Sequence, residues 1–544
     1  MRRASRLIAL FLCGLLLCSC ERPEPQPTPS ETPTPTLAPT AAPRPARFSL
    51  GYDPNASLHP ITGDSQVNQE LTGLVYQGLY ELDNTFTPQP VLAAEASLSE
   101  DNLTWTFPLA GNAVFSDGTP LTAAHVAASL NQARTSALYA ARLTEVNSVT
   151  AGEDGAVYVT LSNPNGNLPA LLDIPIVLEP GPDENGNLPP APLGTGYYQY
   201  TRVGDGLCLQ INPHHPSAAG LPYDAIPLIP VTGAGERIAA FDSGEISAVT
   251  TDFSSPYALD YSSGYEATDY PTTSLLYVGF NAAIGACQFS LVRRAFSRAF
   301  DRAALVEVHL AGRGNPAALP VSPLSGEYSE VHAAQLEYDM DAAAQFLAEA
   351  GFTLSEEDGL LHDVDGLLRD EEEDDPPLDE DGQPLEEDDL VKVTLLVNSD
   401  NDVRQAVARQ LADALERLGV TVTVSSLAWN SYTAALAAGT FDLYIGEVRL
   451  TGDFDSGALL AGELNYSGLE SEALADALVQ WRATQGVWHT LAANTLWGQF
   501  VQDLPIAPLC FKRDSLLVRW GMASNVRPTR ANPYYQMEQW LVTE

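Results

Sequence analysis

One stretch narrows the fold more than any other. Val391 to Val397 reads as a strand, Asp402 to Leu418 as an amphipathic helix stopped by Gly419, and Val420 to Val424 as a second strand. A strand–helix–strand unit brings the chain back parallel to itself, with a right-handed crossover. The remaining sequence alternates short strand-like and helix-like segments in the same way, so the expected fold class is α/β. Leu103 to Phe107 alternates with period two, as a half-buried strand does. Phe115 to Pro120 (FSDGTP) is then a turn. Thr122 and Ser290 are candidate caps for the helices that follow them. Asp301 is the candidate cap of the next helix, with Gly312 as its stop.

At 544 residues, with 45% hydrophobic and 18% charged side chains, there is material for two to four packed domains. Seventy Asp and Glu against 27 Lys and Arg give a formal charge of −43, which repels phosphate backbones and excludes nucleic acid as a partner. Six cysteines are too few for a disulfide scaffold of this length. Cys208, Cys287 and Cys510 are far apart and expected to be small buried hydrophobes.

The first residues read as an address. Arg2, Arg3 and Arg6 precede an apolar run from Leu7 to Leu17, too short to span a bilayer and right for a signal-peptide core. Leu17-Cys18-Ser19-Cys20 follows, and it resembles a bacterial lipobox with Ser19 before the acceptor. That resemblance implies removal of residues 1–19 and a lipid on Cys20. Residues 20–47 are rich in Pro and Thr and read as a disordered, extended tether. The expected location is the outer face of a bacterial cytoplasmic membrane. A second low-complexity stretch, residues 370–389, carries thirteen carboxylates in twenty positions, and an acidic disordered insert is expected over about 355–390.

Several segments then fall in a familiar order. They are Leu74 to Tyr80 (LVYQGLY), Thr104 to Phe107, Phe115 to Thr122, Pro192 to Tyr198 (PLGTGYY) and Asn212-Pro213. Phe241 to Ile246 (FDSGEI), Tyr277 to Asn281 (YVGFN), Val292 to Phe296 and Ala299 to Arg302 continue the series. Together they resemble the extracellular solute-binding proteins of the peptide/nickel type, across most of residues 48–450. The last hundred residues match loosely. The resemblance implies a two-lobed periplasmic-binding-protein-like fold of type II. Lobe I would be discontinuous (48–80, 190–275 and 505–544) with a smaller subdomain at 81–189, and lobe II would span 276–504. It implies the substrate-binding subunit of an ABC importer, a monomer that closes over a peptide or related small solute and delivers it to a permease with ATPase subunits. A surface-anchored hydrolase and a receptor for a metal chelate or a sugar are the alternatives.

In similar proteins an Asp after an aromatic-Gly segment receives the peptide amine. Here the stretch from Phe441 to Asp455 lacks that pattern, and Asp453 or Asp455 would serve only after a shift. Glu447 and Arg449, two apart on a strand, share one face and could grip an amine and a carboxylate, or form an internal pair. Trp429 and Tyr432 are candidates for an aromatic wall or for core. Tyr52, Asp53 and Asn55 follow the first strand, either lining the cleft or making an Asp-Pro turn. His214-His215 sits in a Pro-flanked turn and His125 near a helix start, both structural positions. No nucleophile elbow, Walker loop, H-E-x-x-H or paired C-x-x-C is present, so neither catalysis, a metal nor a cofactor is expected.

Overall fold

A computed structural model describes residues 48–181, 189–254, 261–368 and 389–542. The signal segment, the tether and nearly all of the acidic run fall outside the described residues. The crossover unit forms as the sequence dictates. Lys392–Asn398 pairs in parallel with Thr421–Leu427, joined by the helix Asp402–Glu416. Asn401 caps that helix by accepting from the Arg404 amide at 2.9 Å. Gly419 turns the chain at φ +84°, where a Cβ would also lie 2.8 Å from the Leu361 amide.

This unit belongs to a seven-stranded sheet. Its order is Ala248–Thr251, Ile506–Arg519, Tyr265–Phe280, Leu443–Arg449, Lys392–Asn398 and Thr421–Leu427, with Gly314–Pro316 also on Ile506–Arg519. A four-stranded sheet holds Leu50–Tyr52, Ala225–Pro230, Gly206–Ile211 and Tyr198–Val203, and another holds Ser97–Leu98, Thr104–Phe107, Val157–Leu161 and Val146–Ala151. In Thr104–Phe107 the alternation is realised, with Trp105 and Phe107 buried and both threonines half-buried.

Buried apolar side chains gather around two main centres, which define the lobes. Lobe I collects residues between Phe48 and Tyr270 and again between Leu516 and Trp540. Lobe II collects residues from Leu275 to Phe511. Phe86 joins the core of lobe II, although the sequence groups it with the inserted subdomain. Its ring meets Phe454 edge-on at 4.7 Å.

Two long antiparallel strands, Tyr265–Phe280 and Ile506–Arg519, pass from one core to the other. Their ladder breaks between Pro271 and Leu275. Proline offers no N–H to the ladder, and side-chain hydroxyls take over there. Thr272 donates to the Lys512 carbonyl at 2.8 Å and Thr273 to the Leu450 carbonyl at 2.6 Å. The break sits between the two cores, where a hinge costs least packing.

Local expectations fare unevenly. Thr122 is the N-cap of Ala123–Ala133, and His125 Nδ1 accepts from its amide at 3.2 Å, taking the part a Glu plays in a capping box. Asp301 accepts from the Ala304 amide at 2.9 Å. Ser290 is not a cap: Phe289 holds that position and Ser290 is the first helical residue. Within the stretch assigned to the acidic insert, Leu361–His362 pairs with Thr353–Leu354 as a small hairpin, because apolar Leu361 is buried against lobe II. Cys208, Cys287 and Cys510 are free and buried.

Candidate ligand-binding cleft

Up to its terminal Arg519, the strand Ile506–Arg519 is apolar except at its centre, where Lys512, Arg513, Asp514 and Ser515 interrupt it. That interruption coincides with the ladder break. Lys512 is 7% exposed at its side chain and reaches both lobes. Its Nζ donates to Asp252 Oδ2 at 2.6 Å, after the strand Ala248–Thr251, and to Glu447 Oε1 at 3.2 Å, on the strand Leu443–Arg449. Glu447 Oε2 also accepts from Arg404 Nη2 at 2.8 Å. Burial works against the Lys512 charge, yet Glu447 and Asp252 hold its ammonium above the ordinary lysine range. Burial likewise opposes ionised Asp252, and the Lys512 charge outweighs it, keeping that carboxyl below the usual range.

Beside this closed network stand charges with no internal partner. Arg449, Arg530 and Asp514 make no side-chain hydrogen bond or ion pair among the described residues. Arg449 is exposed at the end of its strand, opposite Ser274 on the crossing strand. Its charge bears on Asp514 and on Arg530, and Arg530 in turn feels Asp173 and Arg142. Burial and then the Asp252 charge raise the Asp514 carboxyl to about 6. Burial lowers Arg530. Arg142 and Asp173 pair with each other. Contributions thus come from lobe II, the inserted subdomain, the crossing strand and the C-terminal segment.

The residues singled out from sequence divide. Glu447 and Arg449 do lie together near the crossing, but they do not pair: Glu447 is committed to Lys512 and Arg404, leaving Arg449 open. Asp455 is not free to receive an amine, because Arg482 Nε and Nη2 donate to it at 2.6 and 2.7 Å. Asp453 is 6% exposed and accepts from Thr451, and burial followed by the Asp455 charge lifts its carboxyl to about 6. Tyr432 is core rather than wall, its hydroxyl donating to the Ile445 carbonyl at 2.7 Å. Trp429 stacks on it at 5.8 Å with half its surface in solvent. Asp53 makes a turn, accepting from the Asn55 amide at 2.9 Å, and Tyr52 is half-buried against the lobe I core. His215 is less solvated than its turn implies, since its ring meets Tyr197 at 4.6 Å. Among the described residues no group of three His, Cys, Asp or Glu side chains could hold a metal ion. No described helix is long and apolar enough to cross a membrane.

The model for bacterial extracellular solute-binding proteins, family 5 Middle, matches residues 87–465. The chain belongs to this family. A glutathione-binding protein, GsiB of Escherichia coli (strain K12), is 28% identical over 309 residues, covering 54% of this chain and 59% of that protein. The oligopeptide-binding protein AppA of Bacillus subtilis (strain 168) is 24% identical over 258 residues, covering 46% of this chain and 42% of the relative. The chain therefore spans about half the length of the curated relatives it matches. Among solved structures, the unliganded open form of the murein tripeptide-binding protein MppA superposes with a TM-score of 0.73 at 19% identity, covering 92% of this chain and 97% of that one. NikA from Brucella suis, in complex with Fe(III)-EDTA, gives 0.63 at 17%, covering 91% and 100%. These likenesses establish the two-lobed solute-binding-protein fold.

Proposed function

We propose that the protein is the substrate-binding subunit of an ABC importer, and that it captures a peptide between its lobes and passes it on chemically unchanged. The observation that carries this reading is the set of charges around the crossing strands that have no partner among the described residues. Arg449 projects from lobe II, while Asp514 and Arg530 belong to segments of lobe I. Burial desolvates Asp514 and Arg530, and such charges without partners are costly. A zwitterion that offers a carboxylate to the arginines and an ammonium to a carboxylate of lobe I supplies charge-assisted hydrogen bonds from both lobes at once. Contacts made only when the lobes approach favour the closed state, which is how a ligand shifts a hinge equilibrium. The named ligands of the relatives, glutathione and oligopeptides, belong to the same chemical class.

Within this proposal, residues 1–19 are a signal peptide and Cys20 carries the lipid, so that 20–47 tether the receptor beside a permease. The division into lobe I, its inserted subdomain at 81–189 and lobe II belongs to the same reading. Calorimetric titration with tripeptides tests the binding role. Arg449→Ala is expected to abolish binding while leaving the unfolding temperature unchanged. Unaltered affinity removes Arg449 from the site, and turnover of any peptide refutes the receptor role. Metabolic labelling with a fatty acid tests the anchor: label is expected on the wild type and lost in Cys20→Ala.

A further inference from the structure

Beside the charged crossing lies a cavity of about 60 Å³ in lobe I. At roughly 15 Å³ per water-sized probe it has room for about four waters. Its wall includes Tyr76, Tyr80, Glu81, Asp173, Tyr197 and Asn532. Every charged residue lining it is a carboxylate, which sets it apart from the arginine-rich neighbourhood of Arg449 and Arg530. Asp173 is already matched, because Arg142 pairs with it. Glu81 is not. It is half-buried on the strand Tyr80–Leu82, and its only side-chain hydrogen bond among the described residues is one from Asn532 Nδ2 at 3.3 Å. An ionised carboxylate has about four lone-pair sites to satisfy, so one long contact leaves it short of donors.

Among the described residues, none of the three tyrosine hydroxyls, that of Tyr197 included, donates to Glu81. The Tyr76 hydroxyl donates to the Pro192 carbonyl at 2.9 Å. Burial raises the Tyr76, Tyr80 and Tyr197 phenols above their ordinary range, so none ionises near neutrality to compete for a positive guest. Aromatic side chains and an under-satisfied carboxylate lining one cavity suit a cation, which an aromatic face attracts and a carboxylate meets with a charge-assisted hydrogen bond. Burial, with the charges of Asp173 and Glu538 behind it, raises the Glu81 carboxyl to about 7 against the pull of Asn532, which is the state of an acid lacking its counter-ion.

We propose that the Tyr76–Tyr80–Glu81–Tyr197 cavity is a subsite for a cationic group of the ligand, an ammonium carried either on a peptide N-terminus or on a lysine side chain. This deepens the peptide reading and rests on it for the identity of the ligand, though the cation preference is testable without a peptide. The ligand's carboxylate then falls to the arginines, and the cavity fixes which end of the peptide lies deepest in lobe I.

The first probe is n-butylammonium chloride, titrated into the folded chain with labelled tyrosine rings and followed by NMR. Perturbation of Tyr76, Tyr80 and Tyr197 is expected in the wild type, with at least a tenfold weaker response in Glu81→Gln, which keeps the shape and the Asn532 contact. Sodium butyrate is expected to cause none. Absence of the response, or an equal response in Glu81→Gln, overturns the proposal. The second set is Ala-Ala-Ala, N-acetyl-Ala-Ala-Ala and N-acetyl-Ala-Lys-Ala. Loss of affinity in Glu81→Gln for the first alone assigns the N-terminal ammonium, and for the third the lysine ammonium. Tight peptide binding that Glu81→Gln leaves untouched in every case sinks the subsite and spares the importer reading. Butylammonium held by Glu81 with no peptide bound does the opposite.

Discussion

Replacing Lys512 with Met should loosen the protein at the point where its lobes meet. The substitution keeps most of the side-chain volume and removes only the ammonium. Three carboxylates then face one another without it: Asp252 at 2.6 Å and Glu447 at 3.2 Å from the lost nitrogen, and Asp514, which feels both. Removing one member of a buried pair costs about 3–5 kcal/mol. The lower end applies, because Asp252 is 35% exposed and Glu447 keeps Arg404. Unfolding entropy of about 2.1 cal/mol/K per residue, over the roughly 500 residues of the folded part, comes to ~1 kcal/mol/K. A loss of about 3 kcal/mol then lowers the unfolding temperature by ~3 °C. The pH dependence supplies a second signature. Depressed Asp252 contributes stability present above the unfolded carboxylate value and lost as pH falls through the folded one. Without Lys512 that depression disappears, so the gap between wild type and Lys512→Met is expected to close towards pH 3. Differential scanning calorimetry from pH 3 to 8 measures both effects. A variant within 1 °C of wild type at pH 7, or a gap that persists unchanged at pH 3, refutes the reasoning.

Other perturbations test neighbouring parts. Asp453 has a raised folded value of about 6, so the folded state holds a proton that the unfolded chain has released, and stability falls as pH rises through that window. Asp453→Asn is therefore expected to stabilise by roughly 1–3 kcal/mol at pH 7–8 and by nothing near pH 3, read from thermal unfolding at both; a gain independent of pH contradicts it. Phe86→Ala deletes the ring that meets Phe454 and should cost about 3–5 kcal/mol in denaturant unfolding; a cost below 1 kcal/mol would show that the segment around Phe86 does not depend on lobe II. Gly73→Ala places a Cβ 2.4 Å from Asn532 Cγ. It should displace Asn532 from Glu81, destabilise by about 1–3 kcal/mol and shift the Tyr80 ring resonance; an unperturbed spectrum would contradict the displacement.

Local chemistry carried much of the fold. The strand–helix–strand unit, the Thr122 and Asp301 caps and the turn at Gly118 depend on residues within a few positions of each other, and each forms. Ser290 slipped by one position, since a serine can sit inside the first turn as easily as before it. The site was harder to read because its partnerships are long-range. Glu447 was visible as a charge on a strand, but its partners Arg404 and Lys512 lie 43 and 65 residues away. Asp453 and Asp455 carry the right chemistry in the right region, and only the packing of Arg482, 27 residues on, shows that Asp455 is taken. Lys512 and Asp514 did leave a signal: charged residues between the two apolar halves of one long strand have no reason to be there unless the strand passes between two bodies. Glu81 and Arg530 left none, because their environment is assembled from four separate parts of the chain.

Small-angle scattering of the wild-type chain, with and without a saturating tripeptide, addresses lobe closure most directly. A fall in radius of gyration on adding peptide, absent in Arg449→Ala, is the expected result. Superimposable profiles with a peptide shown by calorimetry to be bound would contradict closure over a guest held between the lobes.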